Sequence, residues 1–96
     1  MKYKLEILGT TWMLEVCKIP MIDDNKSTED YGQTIFDKAL IRISTKNDPF
    51  KHLIHEILEV LKDNLKLELS HDDLERLEHG LSAALRDNQA VISKFI

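Results

Sequence analysis

The stretch DPFKHLIHEILEVLKDNL, residues 48–65, predicts an amphipathic helix around which the rest of the 96-residue chain is organised. Asp48 can cap the free amide groups at a helix start, and Pro49 loses no hydrogen bond at the first helical position. Apolar side chains then recur every three or four residues and form one broad face: Phe50, Leu53, Ile54, Ile57, Leu58, Leu61 and Leu65. We therefore predict a helix over residues 49–64 that buries this face.

The N-terminal segment has the pattern of a β-hairpin. Apolar and polar residues alternate on both sides of the pair Gly9-Thr10. The apolar members of this alternation are Tyr3, Leu5, Ile7, Trp12, Leu14 and Val16. A period of two on either side of a glycine-containing turn predicts strands at about 2–8 and 11–18.

The segment between the hairpin and the helix is polar at first and then becomes strand-like. Pro20 cannot donate to a strand ladder and is followed by a polar run, so we expect residues of about 20–32 to form a surface loop. Ile41 and Ile43 then alternate with polar neighbours. This alternation indicates a third strand at about 38–44.

A second amphipathic helix follows the first. Ser70 can cap its start and Asp73 stands at the third helical position, so we predict a helix over about 71–86. Its apolar face is Leu74, Leu77, Leu81, Ala84 and Leu85. Strands first and helices afterwards, without β-α-β alternation, favour the α+β class, with an antiparallel sheet covered on one face by helices. The predicted single domain spans 1–96 and consists of an antiparallel hairpin plus a third strand, packed against two amphipathic helices.

Composition excludes several classes of function. The chain is 43% hydrophobic and 31% charged with a net charge of -4, and its basic residues are scattered, so we expect no nucleic-acid binding. No apolar stretch approaches the roughly 20 residues of a membrane span, and the N-terminal residues lack a signal-peptide core, so we expect a cytoplasmic protein. With Cys17 as the single cysteine, any metal site must use histidines and carboxylates.

The run His55-Glu56-Ile57-Leu58-Glu59 in the first predicted helix is one residue away from the His-Glu-x-x-His motif. In that motif two histidines one turn apart bind zinc and the glutamate activates a water. Glu59 replaces the second histidine, and a carboxylate oxygen can also ligate zinc. At about 100° per residue, one polar stripe contains His52, His55, Glu59 and Lys62. A solvated helix face has the same pattern.

Four segments in order resemble the small zincin-like proteins of phages and prophages. They are KYKLEILGTTWMLEV (2–16), YGQTIFDKALIRIS (31–44), LIHEILEVL (53–61) and LELSHDDLERLEHGLSAALRDN (67–88). The resemblance implies a minimal zincin-like fold, zinc ligation by His55 and general acid or base work by Glu56. It also implies a third ligand from the second helix, for which Glu75 fits best and His79 is the other candidate. This sequence departs from the pattern at Glu59.

The departure at Glu59 guides the functional expectation. A carboxylate in place of a neutral imidazole adds negative charge, which would make a zinc-bound water less acidic. We therefore expect a zincin-like protein of phage origin that is non-catalytic and acts by binding a protein of the host or the phage. The alternative is an active zinc metallopeptidase that uses His55, Glu59 and a ligand from the second helix, with Glu56 as general base. A third possibility is a structural protein whose helices dimerise through an exposed apolar strip.

Overall fold

The computed structural model of the protein describes residues 1–18, 21–23 and 28–96, and for 21–23 and 28–30 it describes the backbone. The elements in chain order are β1 (Lys2–Ile7), β2 (Thr10–Cys17), β3 (Met21–Asp23), β4 (Thr28–Asp30), β5 (Gly32–Ile35), β6 (Leu40–Ser44), α1 (Pro49–Leu65), α2 (His71–Asp87) and the short α3 (Gln89–Ile92). This architecture confirms the α+β class. The strands expected at 2–8, 11–18 and 38–44 correspond to β1, β2 and β6.

The main sheet has four strands in the order β1-β2-β6-β5. β1 and β2 form the expected hairpin, and its turn is made by Leu8 and Gly9, whose φ angles of 49° and 81° match the positive values that two-residue hairpin turns require. β5 pairs antiparallel with β6, whereas β2 and β6 run parallel. The expectation of an antiparallel sheet is therefore corrected, because the chain leaves β2 through the β3–β4 hairpin and reaches β6 through β5.

The segment predicted as a loop over residues 20–32 carries more structure than its polarity indicates. β3 and β4 pair with each other as a separate two-stranded sheet, and Gly32 begins β5. Residues 19, 20 and 24–27, including Pro20, lie outside the described residues. β5 pairs with β6 along its whole length, so pairing with the next strand in the chain overrides the polar local sequence.

The core lies between the main sheet and α1. Its buried side chains are Ile7, Trp12, Leu14, Ile41, Ile43 and Val60. Around them pack the half-buried Leu5, Val16, Ala39, Leu53, Ile57 and Leu61. From the predicted apolar face of α1, Leu53, Ile57 and Leu61 pack against this core. The prediction omitted Val60, which is fully buried, and included Leu65, which is 52% exposed at the end of the helix.

α2 packs on α1, and no described strand contacts α2 to a comparable extent. Its buried stripe is centred on Leu74 and Ser82, which are 1% and 3% exposed, while Leu77 and Leu81 are each 39% exposed. The predicted apolar face is therefore turned partly to solvent. The hydroxyl of Ser82 donates a hydrogen bond to the backbone carbonyl of Glu78 at 2.6 Å. This bond supplies a partner for a hydroxyl that is buried where α2 packs against α1.

The start of α1 is linked to the end of α2. The Asp48 side chain accepts a hydrogen bond from the Lys51 amide at 3.3 Å and one from the Arg86 guanidinium at 2.6 Å. The same guanidinium lies 5.3 Å from the centre of the Phe50 ring. The predicted cap is thus also an interhelical contact. Within the described residues, no helix has the length and apolarity of a membrane span.

Candidate functional site

The run from His55 to Glu59 lies in the middle of α1, where the helix passes both β5 and α2. The side chains of His55 and Glu59 are 21% and 32% exposed, so the predicted polar stripe is half-buried here. Glu56 points towards Thr34 of β5 and is 6% exposed. His55 and Glu56, which are adjacent in α1, therefore contact two different elements, α2 and β5.

The His55 imidazole is held between two carboxylates. Its Nδ1 lies 2.8 Å from Glu78 Oε2 of α2, and its Nε2 lies 3.7 Å from Glu59 Oε1 one turn along α1. An ionised carboxylate only accepts hydrogen bonds, so Nδ1 is the donor to Glu78. The distance to Glu59 is too long for a hydrogen bond, so this second carboxylate acts on the ring through its charge.

Glu56 is fitted against the edge strand β5. Its Oε1 accepts a hydrogen bond from Thr34 Oγ1 at 2.9 Å. A methyl group added at Gly32 would lie 2.6 Å from Glu56 Oε2, closer than non-bonded atoms approach. The absence of a side chain at Gly32 therefore leaves the space that this carboxylate occupies.

The surroundings of Glu56 favour its neutral form. Burial raises the pKa of this carboxyl, and the negative charges of Glu59 and Glu78 raise it further. The hydrogen bond from Thr34 and the charge of His55 lower the pKa, but burial has the larger effect. A carboxyl with a raised pKa in a cleft is a candidate functional group, because structural positions are usually occupied by residues that fold at lower cost.

Two open grooves meet at these side chains. The first has a volume of about 490 Å³ and runs between β5 and α1, lined by Gly32, Gln33, Thr34, Ile35, Phe36, His55, Glu56 and Glu59. The second has a volume of about 340 Å³ and reaches α2, lined by Tyr31, Gly32, His52, His55, Glu56, Glu75 and Glu78. β5 is at the edge of the main sheet, so the outer side of its backbone has no partner among the described strands.

The structure brings Glu78 to His55, and it directs the two predicted residues of the second helix elsewhere. Glu75 is 59% exposed and pairs with His71 at 3.0 Å, although it also lines the second groove. His79 is exposed. One signal was available in the sequence, since Glu78 lies four residues after Leu74, the first member of the predicted apolar face.

The arrangement does not fit a zinc ion as it stands. Across the described part of the chain, no three His, Cys, Asp or Glu side chains are gathered in a geometry that would hold a metal. Catalytic zinc sites commonly have three protein ligands around an open position. Here His55 Nε2 and Glu59 Oε1 lie side by side, whereas Glu78 occupies the opposite nitrogen of the ring.

Comparisons with protein-family models, curated proteins and solved structures returned no match to this chain. The zincin-like resemblance therefore stays a prediction, and the functional inference depends on the groove and the side chains around His55.

Proposed function

We propose that this chain is a non-catalytic zincin-like protein of phage origin that acts in the host cytoplasm by binding a protein partner. The observation that supports the proposal is that both motif residues, His55 and Glu56, are hydrogen-bonded to other side chains of the protein. Glu56 is buried and accepts a hydrogen bond from Thr34, and His55 is held by Glu78. A general base must reach the proton that it removes, and here the candidate base is committed to the sheet edge.

The partner that suits the groove is an extended segment with basic side chains. The outer edge of β5, which pairs with none of the described strands, offers backbone donors and acceptors of the kind that pair with an added strand. Besides the buried Glu56, whose neutral form is favoured, the flanking carboxylates come from both helices and are Glu59, Glu75 and Glu78. Negative charge along an open edge favours lysine or arginine in the incoming segment and disfavours acidic ones.

The test is a titration of the labelled protein with two short extended peptides that are identical except for lysine or glutamate at alternate positions. The lysine peptide is expected to shift the amide signals of Gly32–Ile35, and the shifts should weaken as salt is added. The variant Glu59→Lys should abolish binding. The matched control is Glu68→Lys, at an exposed position outside both grooves.

Two results would contradict the proposal of a peptide-binding groove. One is the absence of any effect of the lysine peptide on the β5 amides. The other is equal weakening of binding by Glu59→Lys and Glu68→Lys, which would indicate a response to net charge and not to the groove.

An active zinc metallopeptidase is the competing hypothesis, and one observation favours it. His55 Nε2 and Glu59 Oε1 are 3.7 Å apart on the wall of the first groove, which is close to the separation of two ligands of one ion. A third zinc ligand would have to move to the Nε2 side of the His55 ring. Calorimetric zinc titration and a panel of peptide substrates separate the hypotheses, because a peptidase should lose turnover in Glu56→Gln while it keeps zinc affinity.

The variant Glu59→His restores the histidine pair and tests the missing donor. A ligand that binds only the native state raises its stability. Under the non-catalytic proposal, added zinc should leave the melting temperature of this variant unchanged within error, because Glu78 lies on Nδ1 and cannot supply a third ligand on the Nε2 side. A zinc-dependent rise in the melting temperature that disappears with His55→Ala would favour the metallopeptidase.

A further inference from the structure

Glu78 is the polar residue that α2 presents to the centre of the site. Its side chain is 12% exposed and lies on the same stripe as the buried Leu74 and Ser82. The backbone carbonyl of Glu78 accepts a hydrogen bond from the Ser82 hydroxyl, and its carboxylate reaches His55 Nδ1 at 2.8 Å. Both the backbone and the side chain of this residue are therefore fixed in the packed helix pair.

We infer that Glu78 is a positioning residue that fixes the tautomer and the orientation of His55. A neutral imidazole carries a proton on only one of its two ring nitrogens. A partner that accepts a hydrogen bond from one nitrogen therefore leaves the other nitrogen unprotonated. When the ring is neutral and Glu78 accepts from Nδ1–H, Nε2 is left with a free lone pair. That lone pair faces the side of Glu59, on the wall of the first groove.

This assignment has a consequence for what the groove can recognise, and that part rests on the proposed binding function. Nε2 of His55 and the carboxylate of Glu59 are both acceptors in this state. A pair of neighbouring acceptors suits the N–H groups of a lysine or arginine side chain. The opposite tautomer would place a donor there, which would repel such a side chain and favour a carboxylate or carbonyl.

The experiment is a two-bond ¹H–¹⁵N spectrum of the histidine rings in the free full chain, recorded above about pH 7.5, where an ordinary imidazole is neutral. The wild type is expected to show the His55 proton on Nδ1. Glu78→Ala removes the acceptor and should shift His55 towards the mixture of tautomers found in a free imidazole. Glu78→Gln keeps a carbonyl acceptor and should retain the Nδ1 proton.

Glu75→Ala is the matched control, because Glu75 lies on the same helix and lines the second groove but contacts His71. Its His55 signal should equal that of the wild type. A proton on Nε2 in the wild type would overturn the inference, and so would an Ala variant at position 78 with an unchanged ring spectrum. The wild-type spectrum decides even if Glu78→Ala does not fold, and it is independent of the peptide titration.

Discussion

Glu56 in the middle of α1 and Asp48 at its N-cap are both hydrogen-bonded carboxylates, yet their surroundings shift their pKa values in opposite directions. Burial raises the pKa of Glu56. The hydrogen bond from Arg86 lowers the pKa of Asp48 at the exposed helix start. A buried carboxylate loses its hydration on folding, whereas an exposed one keeps water and gains a cation.

The charges of the two carboxylates affect the stability of the fold in opposite directions. The charge of Asp48 stabilises the folded chain, because the folded state holds the ionised form more strongly than the unfolded state does. The charge of Glu56 opposes folding for the converse reason. A group that destabilises the fold and lies in a groove is the better candidate for a functional role, and this supports the choice of the β5–α1 groove as the site.

The largest effect is expected from Thr34→Val, which removes the donor to Glu56. The buried carboxylate would lose its hydrogen bond without gaining water, so the free energy of unfolding should fall by about 1–3 kcal/mol at pH 7. Thr11→Val is the matched control, since the Thr11 hydroxyl donates to Glu6 at 2.6 Å on the exposed surface. That change should stay within about 0.5 kcal/mol. Urea unfolding of both variants measures the difference, and equal losses would contradict the burial of Glu56.

A smaller effect with the opposite sign is expected from Glu56→Gln. The amide keeps an acceptor for Thr34 and removes the cost of burying a charge, so stability at pH 7 should rise on the order of 1 kcal/mol. The folded-state pKa of Glu56 is raised, so the wild type loses stability as pH rises from the unfolded pKa of about 4.3 to the folded value. The gain should therefore disappear near pH 4.

Denaturant unfolding at several pH values measures this gain. Glu68→Gln serves as the control because its side chain is exposed, and its stability should track the wild type across the same range. A gain in Glu56→Gln that is equally large at about pH 4 and pH 7 would show that the charge of Glu56 is not its cause.

The two helices could be predicted closely from the sequence because their signals are local. α1 spans Pro49–Leu65 where 49–64 was predicted, and α2 spans His71–Asp87 where 71–86 was predicted. Capping residues and the spacing of apolar side chains determine these boundaries within a few residues of chain.

The features that the sequence did not predict depend on contacts between elements and not on the pattern within one element. β5 has four residues, and its pairing with β6 is not visible in its own polar sequence. The leucines of α2 predict one orientation of its buried face, whereas the face that packs on α1 includes Ser82 and Glu78. The motif placed His55, Glu56 and Glu59 at the site, but the contact from Glu78 arises only when the helices pack.

The smallest effect is expected from Asp48→Asn. Asparagine can still cap α1, and it tolerates the left-handed backbone with φ 61° that Asp48 adopts. The variant loses only the charge that faces Arg86. Because the folded-state pKa of Asp48 is lowered, its stabilising contribution is present above the unfolded pKa and is lost as pH falls through the folded value.

A slightly lower melting temperature is therefore expected for Asp48→Asn at neutral pH and low salt. The difference from wild type should shrink in concentrated salt, because both partners are exposed and salt screens their attraction. Thermal unfolding at two salt concentrations measures it. The same pair of experiments on Glu56→Gln should show little salt dependence, since a buried charge is screened less. If Asp48→Asn lost more stability than Thr34→Val, the interhelical ion pair would be the stronger interaction and the contrast between the two carboxylates would be reversed.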